Sequence, residues 1–131
     1  MKRFTIWFTI TFILVLSIVV AGCSSSPKVN YDAFAKCITE KGATMYGAFW
    51  CPHCTRVKKN FGSSFKYVDY VECDPRGDNS EPERCRQVGI DKYATFIING
   101  NPDKSTWLVG EPSMESLSQA TGCPLPTAHA K

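Results

Sequence analysis

Two cysteines stand two residues apart in the run Ala48-Phe49-Trp50-Cys51-Pro52-His53-Cys54. A thiolate is both the nucleophile of disulfide exchange and a ligand for soft metals, so the pair admits three chemistries: a redox couple, half of a metal clip, or a small structural staple. A staple of this span closes too short a ring to remove much entropy from the unfolded chain. A zinc clip needs two further ligands at suitable spacing, whereas Cys73 and Cys85 are separated by 11 residues and the chain has only two histidines, His53 and His129. The redox reading uses the neighbouring residues best. If Cys51 opens a helix, its sulfur faces unpaired backbone N–H groups and the positive end of the helix dipole, both of which favour thiolate over thiol. Pro52 then sits where a missing N–H costs nothing, and His53 can offer the same sulfur a hydrogen bond or positive charge. A stable thiolate is a good leaving group and makes an oxidising disulfide. Cys54 shares a helix face with Val57 and Phe61, so it is expected to be the less exposed sulfur and to act second, resolving the mixed disulfide formed at Cys51.

The elements that must position this pair can be read from periodicity. Residues 31–41 carry Phe34, Ala35 and Ile38 at helical spacing and stop at Gly42; residues 43–49 form an apolar run of strand length; residues 51–61 form an amphipathic helix. Residues 65–73 are aromatic and β-branched enough for a second strand, followed by a loop over 74–82 and a short helix over 83–88. Residues 94–99, a turn at 100–102 and residues 105–109 read as a hairpin, and residues 112–121 as a closing helix with proline near its first turn. A strand–helix–strand unit requires a right-handed crossover and parallel pairing, and a hairpin plus a helix complete a small mixed sheet. The expected fold is α/β and thioredoxin-like: a mixed four-stranded sheet flanked by helices.

Met1-Lys2-Arg3 precedes 18 uncharged residues, Phe4 to Ala21, ending in Val20-Ala21-Gly22-Cys23 and a polar Ser24-Ser25-Ser26-Pro27. This pattern reads as an export signal over residues 1–22 with a lipobox, Cys23 being the lipidated residue, followed by a tether over 23–30; an uncleaved transmembrane helix is the alternative. Residues 31–123 are assigned to the domain and 124–131 to a flexible tail. Either reading puts the domain outside the cytoplasm, attached to the cell membrane. The formal charge of +3 falls to +1 without Lys2 and Arg3, which argues against nucleic acid as a partner. Seven cysteines in an exported chain imply disulfides, and removing Cys23 leaves an even six.

The stretch from residue 34 to residue 122 resembles the thioredoxin-like domain fused to bacterial and plant vitamin K epoxide reductase homologues, also found as stand-alone exported proteins. The resemblance rests on YGAFWCPHC at 46–54, Phe61-Gly62, YVEC at 70–73, Cys85, Gly89-Ile90, Ile98-Asn99-Gly100 and SLSQATG at 116–122. It implies a dithiol/disulfide exchanger that needs no organic cofactor. Such a protein passes oxidising equivalents between a quinone-linked membrane oxidase and the thiols or disulfides of secreted and membrane proteins. It further implies that Cys51 and Cys54 are the redox pair and that Cys73 and Cys85 form a structural disulfide, a second redox pair being the alternative. Cys37 and Cys123 remain and are paired by elimination, with two free thiols as the alternative. A membrane-tethered copper or zinc module using Cys51 and Cys54 is the competing function.

Two features depart from that family. Where thioredoxin folds carry a cis-proline facing the CxxC, this chain has Tyr93-Ala94-Thr95. A cis bond before a non-proline residue costs about 2.5–4 kcal/mol, so the peptide before Ala94 is expected to be trans and the loop beside Cys51 altered. Trp50, Tyr93 and Ala94 remain the expected substrate-facing residues, with a shield over the disulfide face as the other reading of Trp50. The strand before the motif also contains no acid to take the proton of Cys54, and Glu40 lies on the preceding helix. Water, the more distant Glu72 or His53 would have to serve.

Overall fold

The computed structural model describes residues 29–127. The expected signal or anchor, the lipidation site Cys23, most of the tether, and His129 at the end of the tail lie outside the described residues. Among those described, no helix is long and apolar enough to cross a membrane.

Strand β1 (Ala43–Gly47) is the centre of the architecture, buried at four of its five positions. Such continuous burial requires cover on both faces, and the alternation of side chains along the strands supplies two cores. Ala43 and Met45 of β1 and Phe96 of β3 (Thr95–Ile98) join the larger apolar cluster, while Tyr46, Val71 and Ile97 join the smaller one. Helix α1 (Asp32–Glu40) adds Phe34, Ala35 and Ile38 to the larger core; helix α2 (Pro52–Phe61) adds Cys54, Val57 and Phe61; and helix α4 (Met114–Thr121) adds Leu117. Phe34 stacks on Phe61 with ring centroids 6.1 Å apart, tying α1 to α2. The short helix α3 (Pro82–Val88) contributes Cys85 to the smaller core.

The sheet order is β2-β1-β3-β4, with β2 at Asp69–Glu72 and β4 at Leu108–Val109. β2 runs parallel to β1, in register Met45↔Tyr70 and Gly47↔Glu72, because α2 carries the chain back between them. β3 is antiparallel to β1 and β4 antiparallel to β3. This mixed sheet with flanking helices is a thioredoxin-like fold.

Three local expectations are corrected. Residues 65–73 are not one strand: Gly62–Tyr67 form a 3-10 helix and the strand starts at Asp69. Aromatic content suggested β structure, but a three-residue period sets Phe61, Ser64 and Tyr67 on one side, where Ser64 Oγ donates to Asp32 (2.6 Å) and the Tyr67 carbonyl accepts from Thr39 Oγ1 (2.8 Å). Residues 105–109 likewise yield a 3-10 turn (Lys104–Thr106) and a strand of two residues, Asp103 accepting the Ser105 N–H at 2.9 Å and competing with extended pairing. The Tyr93–Ala94 peptide is cis rather than trans. Here the local preference is overruled by tertiary fit: Ala94 is fully buried, its carbonyl accepts from Gly110 N–H at 2.8 Å, and the next residue is paired in the sheet on both sides.

Candidate active site

The end of β1 leads through Ala48-Phe49-Trp50 into α2, and Cys51 is the N-cap of that helix in extended conformation. Its sulfur accepts the N–H of Cys54 at 3.4 Å, satisfying one of the amide donors that a helix start leaves over. Pro52 occupies the first helical turn, where its missing N–H is not needed. Both cysteines are free thiols, 3% and 1% exposed respectively. The expected difference between them therefore lies in surroundings rather than in area. Phe49, Trp50, Pro52 and His53 beside Cys51 are exposed, whereas Cys54 packs inward with Val57 and Phe61. Burial, followed by its hydrogen bond with Cys51, pushes the Cys54 thiol up to about 12.

His53 does not supply the bond to the Cys51 sulfur in this structure. Its Nδ1 lies 2.8 Å from Arg56 Nη2, and since a guanidinium only donates, Nδ1 must accept. Arg56 in turn bonds Glu111. The amide of the helix start is thus the group that meets the sulfur, and the imidazole belongs to an exposed chain running His53–Arg56–Glu111.

Trp50 is 53% exposed, yet anchored: its indole N–H donates to Asp74 at 2.6 Å and its ring meets Tyr93 edge-on at 6.1 Å. Bonds from the Arg76 side chain first, then from the Arg76 N–H and Trp50, hold the Asp74 carboxyl well below the usual range. Arg76 also lies over the exposed Phe49 ring at 5.8 Å. Tyr93 is partly exposed, while Ala94, expected to face substrate, is fully buried.

The other four cysteines pair as Cys37–Cys123 and Cys73–Cys85, with Cα–Cα distances of 5.9 and 5.8 Å. The first ties α1 to the segment after α4. The second ties the end of β2 to α3 and holds the intervening loop against Glu72, whose carbonyl accepts from Glu81 N–H at 2.7 Å. Among the described residues no three His, Cys, Asp or Glu side chains are grouped as a metal would require. Cys51 and Cys54 would supply two of the four ligands of a closed zinc site. A cleft of about 370 Å³ between residues 29–31 and 59–63 lies at the far end of α2, and its lining includes no cysteine or carboxylate.

The sequence reading missed Gly47. A side chain there would stand 2.8 Å from Cys54 Sγ and 3.0 Å from the Tyr70 ring, so only glycine lets the first turn of α2 settle onto β1. A glycine inside a strand pattern was the available signal of close approach. Tyr70 was visible only as part of a motif. Period-two alternation from Glu72 places it on the same sheet face.

No family model matches the chain. It is 39% identical over 110 residues to a protein of Arabidopsis thaliana named thiol-disulfide oxidoreductase LTO1. The matched stretch covers 81% of this chain and 28% of the plant protein, so the chain spans little more than a quarter of that relative's length.

Proposed function

We propose that this chain is a thiol-disulfide oxidoreductase in which Cys51 exchanges disulfides with protein substrates and Cys54 resolves the intermediate. The observation that carries the reading is the Cys51 sulfur capping the start of α2 with the Cys54 amide, beside an exposed aromatic surface. The similarity to a plant protein named for the same chemistry supports it. In the reducing direction the Cys51 thiolate attacks one sulfur of a substrate disulfide, and the other leaves as a thiolate. Cys54 then loses its proton and attacks Cys51 Sγ, forming the Cys51–Cys54 bond and expelling the second substrate sulfur with its electron pair. The oxidising direction is the same sequence reversed. The protein carries the electrons in its own sulfurs.

The finer reading is a stand-alone relative of the thioredoxin-like domain of vitamin K epoxide reductase homologues, lipid-anchored outside the cytoplasm and served by a quinone-linked membrane oxidase. Support comes from the two disulfides, which belong to oxidising compartments, and from the apolar run before Cys23. Insulin reduction or oxidative refolding with the full chain, compared with Cys51→Ser, tests the activity: loss of turnover in the variant is expected, and equal rates would remove the claim. The reduction potential assigns direction, a value near about −120 mV marking an oxidant and one near about −270 mV a reductant.

A further inference from the structure

We propose that Tyr70 and Glu72 form the proton-accepting pair for the resolving thiol Cys54, reached across the bare Cα of Gly47. The proposal rests on the exchange reading above. Cys54 cannot attack until its S–H bond breaks, and the thiol is buried on the core side of α2 where bulk water has little access. β1 offers no acid: its residues are Ala43, Thr44, Met45, Tyr46 and Gly47. The neighbouring strand does. Register Gly47↔Glu72 and Met45↔Tyr70, with two-residue alternation along β2, puts Tyr70 and Glu72 on the same face as Gly47. The point where a Gly47 side chain would begin is 2.8 Å from Cys54 Sγ and 3.4 Å from the Tyr70 hydroxyl. Thiol and phenol therefore both border the space over the bare Gly47 Cα, and the proposed transfer crosses it through one bridging water or a side-chain rotation.

Beyond Tyr70 the path is already connected. Its hydroxyl donates to Glu72 Oε2 at 2.7 Å, and Glu72 Oε1 accepts the Asp74 N–H at 3.0 Å. Glu72 is 5% exposed and packed so closely by Gly77 that a side chain there would fall 2.4 Å from its Cγ. The charged and titratable groups around the pair come from each packed element: Lys58 of α2, whose ammonium lies 3.9 Å from the Tyr70 ring centroid; Asp74 with Arg76 from the loop after β2; Tyr93 from the segment before β3; and Cys51. Lys58 favours negative charge at this place, as it does on the Cys54 sulfur.

The transfer balances. The Cys54 proton passes to the Tyr70 oxygen as the Tyr70 proton passes to the Glu72 carboxylate. The freed Cys54 thiolate bonds to Cys51 Sγ, and the substrate sulfur leaves as a thiolate. In the opposite direction the protonated Glu72 returns the proton to Cys54 as it becomes the leaving group.

Reaction of the reduced full-length protein with Ellman's reagent tests the pair, because each step releases one coloured thiolate: the first as Cys51 is modified, the second as Cys54 resolves. Tyr70→Phe and Glu72→Gln should leave the first phase within about twofold of the parent. They should slow the second by about 10- to 100-fold near neutral pH, at or below the usual range for general-base catalysis. The double variant should be no slower than the slower single one. Between pH 7 and 9 the second phase of Glu72→Gln should rise about tenfold per pH unit and that of the parent less steeply, a change of pH profile that a structural defect would not produce. A second phase at parental rate in both variants, or a slowing of both phases together, overturns the proposal. Absence of a first phase in the parent overturns instead the exchange reading on which it rests.

Discussion

At the scale of single residues, the two sulfurs are made unlike by what surrounds them. Cys51 takes an amide hydrogen bond at a helix start, while Cys54 sits against apolar side chains that penalise its charged form. The sign of the pH effect follows. The Cys54 pKa is raised on folding, so its neutral form favours the folded state; that contribution is complete below the ordinary thiol value of 9.0 and is lost as pH rises toward about 12. Tyr70 is shifted upward by burial and by Glu72, and acts in the same direction. Urea midpoints of the reduced protein should therefore fall across this alkaline range. Cys54→Ser should remove part of the fall, and an unchanged slope would contradict the assignment. Gly47→Ala places a methyl against the Cys54 sulfur and the Tyr70 ring. Overpacking of this kind costs about 1–3 kcal/mol, measurable by equilibrium unfolding. The placement of the cysteine pair and Pro52 at a helix start was legible from residue type and spacing alone. The partner of His53 was not, because Arg56 competes for its ring only once the helix places the two three residues apart on one face.

At the scale of elements, the helix start and the disulfide-held loop do different work. α2 holds the buried Cys51 sulfur at its N-cap, and the Cys73–Cys85 bridge holds residues 74–84 over the end of β2, where Glu72 lies. A 12-residue separation gives about 3 kcal/mol in the chain-entropy treatment, and the 86-residue separation of Cys37 and Cys123 about 4.5 kcal/mol. Replacing each pair by serine should lower unfolding free energy by up to those amounts. Only the Cys73/Cys85 double variant should also raise hydrogen exchange at the amides of Asp74 and residues 76–81. Periodicity gave α1, β1 and α2 nearly to the residue, since each buries one consistent stripe. It failed at 65–67 and 105–106, where hydrogen bonds from Ser64 and to Asp103 favour 3-10 turns over the β preference of the aromatic and β-branched residues. Strand order and crossover followed from connection rules. The cis bond before Ala94 did not, because it depends on burial and pairing that no local pattern encodes.

At the scale of the molecule, exposed Phe49 and Trp50 and partly exposed Tyr93 border the buried thiols, with Asp74 and Arg76 fixing their positions. In the proposed exchange reaction this is the surface that a protein disulfide would meet. Trp50→Ala should raise KM for a protein disulfide by about 5- to 30-fold, as loss of an aromatic anchor does. Its rate with a small disulfide should stay within about twofold, so an equal effect on both would place Trp50 outside recognition. Cys51 is the sulfur proposed to meet substrate, and trapping tests that role most directly. Reduced Cys54→Ser and Cys51→Ser forms are mixed with a peptide disulfide and the adducts mapped by mass spectrometry. A lasting mixed disulfide on Cys51 is expected in the first form and little or no adduct on Cys54 in the second. Equal labelling of Cys54, or none of Cys51, would contradict it.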